Sequence, residues 1–516
     1  MTRAPIRILA SFGTVGGWTM MSRILGFIRD ILIGALVGTG PVAEAFIVAF
    51  RLPNMFRRFF AEGAFNLAFI PLFSKKLSGE GESAARDFAE EALSVLLTIL
   101  IALTVVAQAI MPWLVWVIAG GFEAGSDREE LAVLFSRICF PYILFISLAA
   151  LFSGIANGYG RFAAAAAAPV LLNLVWIAGM ALGAWLGWEM GLTLAWSVFV
   201  GGVGQLILMV VAVRRLGVKL GLRLPRLSPD VRRLIALAIP AVLIGGVTQI
   251  NLIVGTRIAS ATEGAVGWLY FADRIYQLPL GVIGVAIGVV LLPALSHKVQ
   301  EGDHAGAASA MNRAAEFALI LTLPAAAALI ALPELISRVL FERLAFTAED
   351  SRQTALALWI YAIGLPSFVL HKVLQPAFIA REDMRTPLRY AIIAMVVNVV
   401  VAIGLYPLIG WVGAPIGTTV AGWLMIFLLW NGARRLESEM RVDTRLADRW
   451  WRMVLASAAM AGVVLGLEIL MAQAGIISLL RLLFVVPAGL VCYALFAILL
   501  GAFRLSDIRS AVGRGG

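Results

Sequence analysis

The chain has 516 residues, 61% of them hydrophobic and 14% charged, with a formal net charge of +10 and a mean hydropathy of +0.94. A soluble protein of this length is nearer half apolar, so the excess faces something other than water. Apolar runs of roughly 20 residues or more, each able to cross a ~30 Å hydrocarbon core, recur along the chain without the alternation of a membrane β-barrel, and Cys139 and Cys492, the two cysteines, exclude a disulfide framework or a Cys-based metal site.

The predicted fold is therefore all-α and polytopic, with about fourteen spans. In chain order they fall near 8–37, 42–73, 86–118, 129–158, 164–187, 191–213 and 229–260, then 266–296, 305–332, 351–380, 386–407, 411–433, 449–472 and 476–502. Arg3 and Arg7 precede the first run and no small-residue cleavage site follows it, which predicts a retained first helix. Ser228-Pro229-Asp230 reads as an N-cap with proline in the first turn, and Thr347 to Asp350 as a capping box. His297, His304 and His371 are scattered without metal-ligand spacing, so no metal and no cofactor is expected.

The connections alternate in charge. Arg214, Arg215, Lys219, Arg223, Arg226, Arg232 and Arg233 crowd the one after the sixth span, and Arg434, Arg435, Arg441, Arg445 and Arg449 the one after the twelfth. Lys75, Lys76, Arg381 and Arg385 fall on the same side, while the turns near 38–41, 188–190, 261–265, 407–412 and 473–475 hold no Lys or Arg. The positive-inside rule then places both termini in the cytoplasm. The charge is loop charge, and no nucleic-acid motif accompanies it.

A repeat is also visible. PLFSKK at 71–76 resembles PALSHK at 293–298, Pro112 corresponds to Pro333, and Asn173 to Asn398. An even number of spans per period makes the copies parallel, a plan found among transporters. Expected domains are a lobe over 1–222, a second over 223–440, and two further helices within 441–516.

Ionisable residues inside the spans are concentrated. Arg23, Arg29 and Asp30 lie on the first span; Glu44, Arg51, Arg57, Arg58 and Glu62 on the second; Arg257 on the seventh; Asp273 and Arg274 on the eighth; Lys372 on the tenth. Glu44, Arg51 and Arg58 are seven apart and drift only ~20° per step, with Glu62 one turn on, which predicts a charged stripe down one face. Arg23 and Asp30 share a face by the same spacing, and Gln277 sits one turn after Asp273. Each such charge costs about 2.5–3.5 kcal/mol at the bilayer centre. Inter-helix salt bridges or snorkelling would account for some, but cations outnumber anions, so a hydrated positive cavity between the halves is the better account. Arginine binds phosphate in a fork, which favours a phosphate or diphosphate cargo.

MSRILGFIRD, AFRLPNMFRRFFAEGAFNLAFIPLF at 49–73 and YFADRIYQLPLGVIGVAIGVVLLPALS at 270–296 closely resemble the MurJ (MviN) family of lipid II flippases. That family belongs to the multidrug/oligosaccharidyl-lipid/polysaccharide exporter superfamily. The resemblance implies two six-helix lobes in a V plus two C-terminal helices, in the bacterial inner membrane. It implies alternating-access transfer of lipid II from the cytoplasmic to the periplasmic leaflet, by a monomer among membrane lipids and cell-wall synthesis or division proteins. The diphosphate head would sit in the cationic cavity and the polyprenyl tail in a groove at the last two helices. By position the functional arginines are Arg23, Arg29, Arg57, Arg58 and Arg274, with Glu62 and Asp273 as acidic partners; Arg51 and Arg257 join them from the charge pattern.

Glu44 stands where many members carry Asp, and Gln277 where some carry Glu. Some relatives bind sodium through carboxylates on helices seven and eleven. Here Asn398 and Thr418 are the positions left for an ion, Ala402 follows Asn398 by one turn, and Thr248, Gln249 and Asn251 supply no carboxylate.

No G-x-x-x-x-G-K-[ST] loop, no stretch long enough for an ATPase and no nucleophile–base constellation is present, so the expectation is a transporter and not an enzyme. Alternatives are a flippase for another polyprenyl-diphosphate glycan of O-antigen type, and a non-transporting scaffold for cell-wall enzymes.

Overall fold

The computed structural model describes residues 4–60, 64–436 and 442–503, and all their regular structure is helical. The chain forms two compact units, one over 1–267 with 344–346, the other over 268–343 and 347–516. Among the described residues nine helical stretches are long and apolar enough to cross a membrane, and two of these, Asp127–Gly158 and Arg385–Arg434, each contain two successive helices. This is a multi-pass membrane protein.

The first unit begins with α1 (Ala4–Val37), α2 (Pro41–Phe60), α3 (Ala64–Gly79), α4 (Glu82–Ala109) and α5 (Met111–Ala119). It continues with α6 (Asp127–Cys139), α7 (Tyr142–Gly158), α8 (Ala163–Leu186), α9 (Met190–Arg214) and α10 (Pro229–Ala259). Two predicted spans are broken where the sequence supplies a reason. Ile110 precedes Met111-Pro112, which restarts the helix as α5, and Pro141 separates α6 from α7. Phe65, Phe69, Phe73 and Phe88 stack at centroid distances of 5.4 to 5.5 Å. On α7, a Cβ at Gly154 or Gly158 would lie 2.8 or 2.7 Å from the Phe69 and Phe73 rings, so glycine permits the close approach of α3 and α7. Ser228 caps α10 by accepting the Val231 N–H at 3.3 Å, as its sequence predicts.

Residues 344–346 also pack with the first unit. The Ala345 N–H donates to the Ala35 carbonyl at 3.0 Å. Beside it Gly38 turns at φ +72°, where a Cβ would lie 2.5 Å from the Ala345 oxygen.

The second unit holds α11 (Ala265–Gln300, from residue 268), α12 (His304–Ala331), α13 (Pro333–Phe341) and α14 (Ala348–Ile379). It then runs through α15 (Arg385–Ile409), α16 (Gly413–Leu436), α17 (Thr444–Gln473) and α18 (Ser478–Leu499). The capping box at α14 is formed: the Asp350 N–H donates to Thr347 Oγ1 at 3.2 Å and the Thr347 N–H to Asp350 Oδ2 at 2.8 Å. The α17–α18 hairpin docks along α12 and α13. Leu332 and Leu335 meet Met460, Val464 and Val485, while Leu319, Ile320 and Leu323 pack on Met453, Ala456 and Ala497.

The repeat seen in the sequence has a structural counterpart. α4 and α12 are both 28 residues long, and each leads into a nine-residue helix with proline in its first turn.

Candidate functional site

Among the described residues of the first unit, the polar groups within the spans named above fall into three clusters. The first joins α1 to α8. Arg29 Nε and Nη2 donate to Asp30 Oδ1 at 3.0 and 2.7 Å, and Nη1 donates to Asn173 Oδ1 at 2.9 Å. Asn173 Nδ2 in turn donates to the Ser22 carbonyl at 2.9 Å. The guanidinium lies 4.6 Å from the centroid of the Trp176 ring, a cation–π contact. Arg23, one face round, is exposed.

The second cluster runs along α2, where the predicted stripe divides between neighbours. Arg51 Nη1 donates to the Leu252 carbonyl of α10 at 3.2 Å, and Arg57 Nε to Asn54 Oδ1 at 3.0 Å. The Arg58 side chain and Glu62 lie outside the described residues.

Glu44 belongs to the third cluster. Fully buried, it pairs with Arg128 of α6 at 2.8 Å and accepts the Val266 N–H at 3.2 Å. Arg128 also donates to the Ser260 carbonyl at 2.9 Å and stacks on Phe122. Nearby Arg257 Nη1 donates to the carbonyls of Trp116 and Val117 at 2.6 and 3.1 Å, in the last turn of α5, and lies over the Trp116 ring. Arg257 thus satisfies helix-end carbonyls that α5 cannot pair internally. Glu44 and Arg257 here tie α2, α5, α6 and α10 together, and Arg128 is the member that sequence reasoning missed; at the start of a span it resembles an ordinary interfacial charge.

In the second unit Asp273 accepts from Gln277 one turn along α11, and Arg274 lies 4.6 Å from the Tyr270 ring centroid. The Tyr276 ring packs on Tyr361 and Phe368 at 5.0 and 5.7 Å. Asn398 is buried against Gly417, whereas the Thr418 hydroxyl donates to the Ala414 carbonyl of its own helix at 3.1 Å. Lys372 is exposed on α14. Among the described residues no group of three or more His, Cys, Asp or Glu could hold a metal ion.

A further ionic set was not foreseen. Glu316 of α12, buried, accepts from Arg449 at 2.6 Å and from Arg445 at 3.2 Å, both on α17, and from Arg313. The Asp443 N–H donates to Asn312 Oδ1 at 3.2 Å. Its missed signal was a glutamate inside the ninth apolar run, with surplus arginines in a later connection.

Arginines held at polar clusters within apolar helices, on a wholly helical multi-pass frame, are the build of a membrane transporter for an anionic cargo. Comparison with known proteins narrows the class. The family model described as lipid II flippase MurJ matches residues 33–486, and the chain belongs to that family. A "Probable lipid II flippase MurJ" of Rhizobium tropici is 44% identical over 98% of this chain and 97% of its own length. The "Lipid II flippase MurJ" of Burkholderia cenocepacia is 36% identical over 82% of this chain and 83% of its own. The solved structure of a lipid II flippase MurJ in an inward closed conformation superposes with a TM-score of 0.81 at 23% identity, covering 94% of this chain and 98% of that one. An inward-facing multidrug resistance transporter of the MATE family, in the MOP superfamily, gives 0.70 at 16% identity, over 84% and 99%. These two superpositions establish the shared fold.

Proposed function

We propose that this chain is a lipid II flippase of the bacterial inner membrane, moving the undecaprenyl-diphosphate-linked peptidoglycan precursor from the cytoplasmic to the periplasmic leaflet. Membership of the family across residues 33–486 carries the cargo assignment. The geometry supports particular groups for the diphosphate. Arg29 is held by neighbours on α1 and α8, and Arg23 is exposed on the same helix. Arg51, Arg57 and Arg274 add positive charge at membrane depth, and Arg58 and Glu62 complete the set by sequence position. Asp30, Asp273 and Gln277 serve as charge partners, Glu44 and Arg257 as ties that keep the first unit's helices in place. Asn398 and Thr418 are retained as the place to look for a coupling ion.

The reading includes fourteen spans with both termini cytoplasmic, and a monomer among membrane lipids and cell-wall proteins. It includes repeat lobes over 1–222 and 223–440 and a tail-binding pair of helices within 441–516. The lobes divide the chain by its repeat; the compact units divide it by packing, and α10 goes with the first. Cargo movement by alternating access needs no catalytic group.

The test is the leaflet distribution of lipid II in cells depleted of their own flippase and supplied with this protein or its Arg29→Ala variant at equal membrane levels. An enzyme confined to the periplasm reports exposed precursor. Exposure restored by the wild type and not by the variant supports cargo and arginine together. Restoration by both keeps the cargo and removes Arg29; failure of a folded wild type redirects the search to another polyprenyl-diphosphate glycan.

A further inference from the structure

Arg29 is held on three sides. Asp30 takes two of its N–H groups and Asn173 a third, while its central carbon lies over the Trp176 ring, 4.6 Å from the centroid. A guanidinium has five N–H donors, so two remain, one on each terminal nitrogen. Asn173 is itself fixed, because its amide nitrogen is spent on the Ser22 carbonyl at 2.9 Å. That bond decides which way the amide faces and presents Oδ1 to Arg29.

Trp176 is fixed too. It is 1% exposed, and Phe46 and Phe50 of α2 meet it edge-on at 5.4 and 4.9 Å. Asn173 and Trp176 are three apart on α8 and so share a face. Ser22, Gly26 and Arg29 line the facing side of α1, and a Cβ at Gly26 would stand 3.5 Å from Asn173 Nδ2.

We infer that Asn173 and Trp176 are positioning residues for Arg29, fixing the plane and rotation of its guanidinium so that its two remaining N–H groups form a ready fork for a phosphate oxygen pair. This rests on the reading that Arg29 meets the diphosphate of lipid II. A flexible arginine loses rotamer freedom when it grips cargo; here that loss is incurred on folding, and binding is correspondingly tighter. Asp30 alone cannot do this, since both its bonds to Arg29 end on one oxygen, Oδ1, and leave the guanidinium able to pivot about it.

The experiment measures binding of lipid II to the purified full chain in lipid nanodiscs. Asn173→Leu and Trp176→Leu are each made in the wild-type and in the Arg29→Ala backgrounds, and Trp176→Phe in the wild type. Hydrogen bonds to a charged group lead us to expect about tenfold to hundredfold weaker binding for Asn173→Leu when Arg29 is present. Neither leucine substitution should weaken binding further once Arg29 is alanine. Trp176→Phe, which keeps an aromatic face, should bind within about threefold of the wild type while Trp176→Leu does not. Equal losses in both backgrounds would show a general packing defect and overturn the inference. So would Asn173→Leu and Trp176→Leu proteins that bind as well as the wild type. A wild type that does not bind lipid II sinks the cargo assignment itself, an outcome distinct from the other two. Should Asn173→Leu not fold, the Trp176 pair decides.

Discussion

Glu90 and Asn312 do the same work in the two halves of the chain. Each is the ninth residue of its helix, α4 or α12. Each accepts a backbone N–H from the connection after α9 or α16, Gly221 onto Glu90 at 2.9 Å and Asp443 onto Asn312 at 3.2 Å. One turn further on, Ser94 accepts the Arg223 N–H at 3.0 Å, and Glu316 accepts from the Arg445 side chain. The halves differ in chemistry: the first adds a partly exposed pair of Arg223 with Glu90, the second a buried carboxylate shared by three arginines.

That difference predicts an asymmetry in stability. Glu316→Gln removes the negative charge and leaves the buried Arg449 uncompensated, a loss of about 3–5 kcal/mol. Glu349→Gln breaks an exposed pair with Arg352 at 2.7 Å, beside an exposed hydrogen bond from Gln353, and the pair is worth about 0–1 kcal/mol. Melting midpoints of both variants in one detergent check this; equal midpoints would contradict it.

Gly38→Ala should destabilise the first unit by about 1–3 kcal/mol, since alanine disfavours φ +72° and its methyl would meet the Ala345 oxygen at 2.5 Å. Gly40, two residues on, has nothing within 4 Å of an added Cβ, so Gly40→Ala serves as the control. Thermal unfolding that ranks the two alike would show that the contact is not sustained in the membrane protein.

Two helix starts should respond to acid. Asp383 accepts the N–H groups of Arg385 and Thr386 at 3.1 and 3.0 Å, and hydrogen bonds from Thr386 hold its carboxyl below the ordinary 3.8. The Gly306 N–H, with Lys298, does the same for Asp303. A carboxyl depressed in the folded state stabilises above its unfolded value and loses that contribution as pH falls through the lower folded value. Amide protection at the starts of α12 and α15, corrected for intrinsic exchange, should therefore drop below about pH 4. Asp383→Ser should flatten the response at α15 alone, and an unchanged profile would rule out the cap as its source.

Lysine should replace Arg23 but not Arg29. An exposed cation can act as a point charge, whereas Arg29 spends separate nitrogens on Asp30 and Asn173 with its guanidinium over the Trp176 ring, a set of contacts that an ammonium cannot reproduce. Transfer of lipid II by Arg29→Lys should fall about tenfold or more below that of Arg23→Lys. Comparable rates in a reconstituted assay would mean that charge alone matters at position 29.

Much of this architecture could be read from the residues. The described residues of the predicted spans are helical, those of 86–118 and 129–158 in two pieces each, because apolar length is a direct physical requirement and Gly, Pro and charge clusters mark the ends. Ser228 and Thr347 cap as their sequence says, since capping is local. The nine-residue α13 was hidden because Pro333 to Phe341 is too short to span and too apolar to read as a loop. Side-chain destinations were harder. Glu44, Arg51 and Arg58 share a face by arithmetic, yet Glu44 goes to Arg128 and Arg51 to a carbonyl of α10, because the choice among neighbouring helices is tertiary. Asn173 was visible as a repeat marker only; its bond to Arg29 spans 144 positions, which periodicity cannot reach. The Glu90–Asn312 equivalence escaped because the repeat keeps the acceptor oxygen and changes the residue type.

The Ala345–Gly38 contact has an evolutionary consequence. The two positions are far apart in sequence and meet where no methyl fits, so neither can drift independently. Among relatives of this chain a residue with a side chain at position 38 should occur only where the segment around 345 has also changed, and glycine at 38 should accompany a close-packed segment there. An alignment in which position 38 varies freely while 344–346 stays constant would show that the fit is particular to this chain.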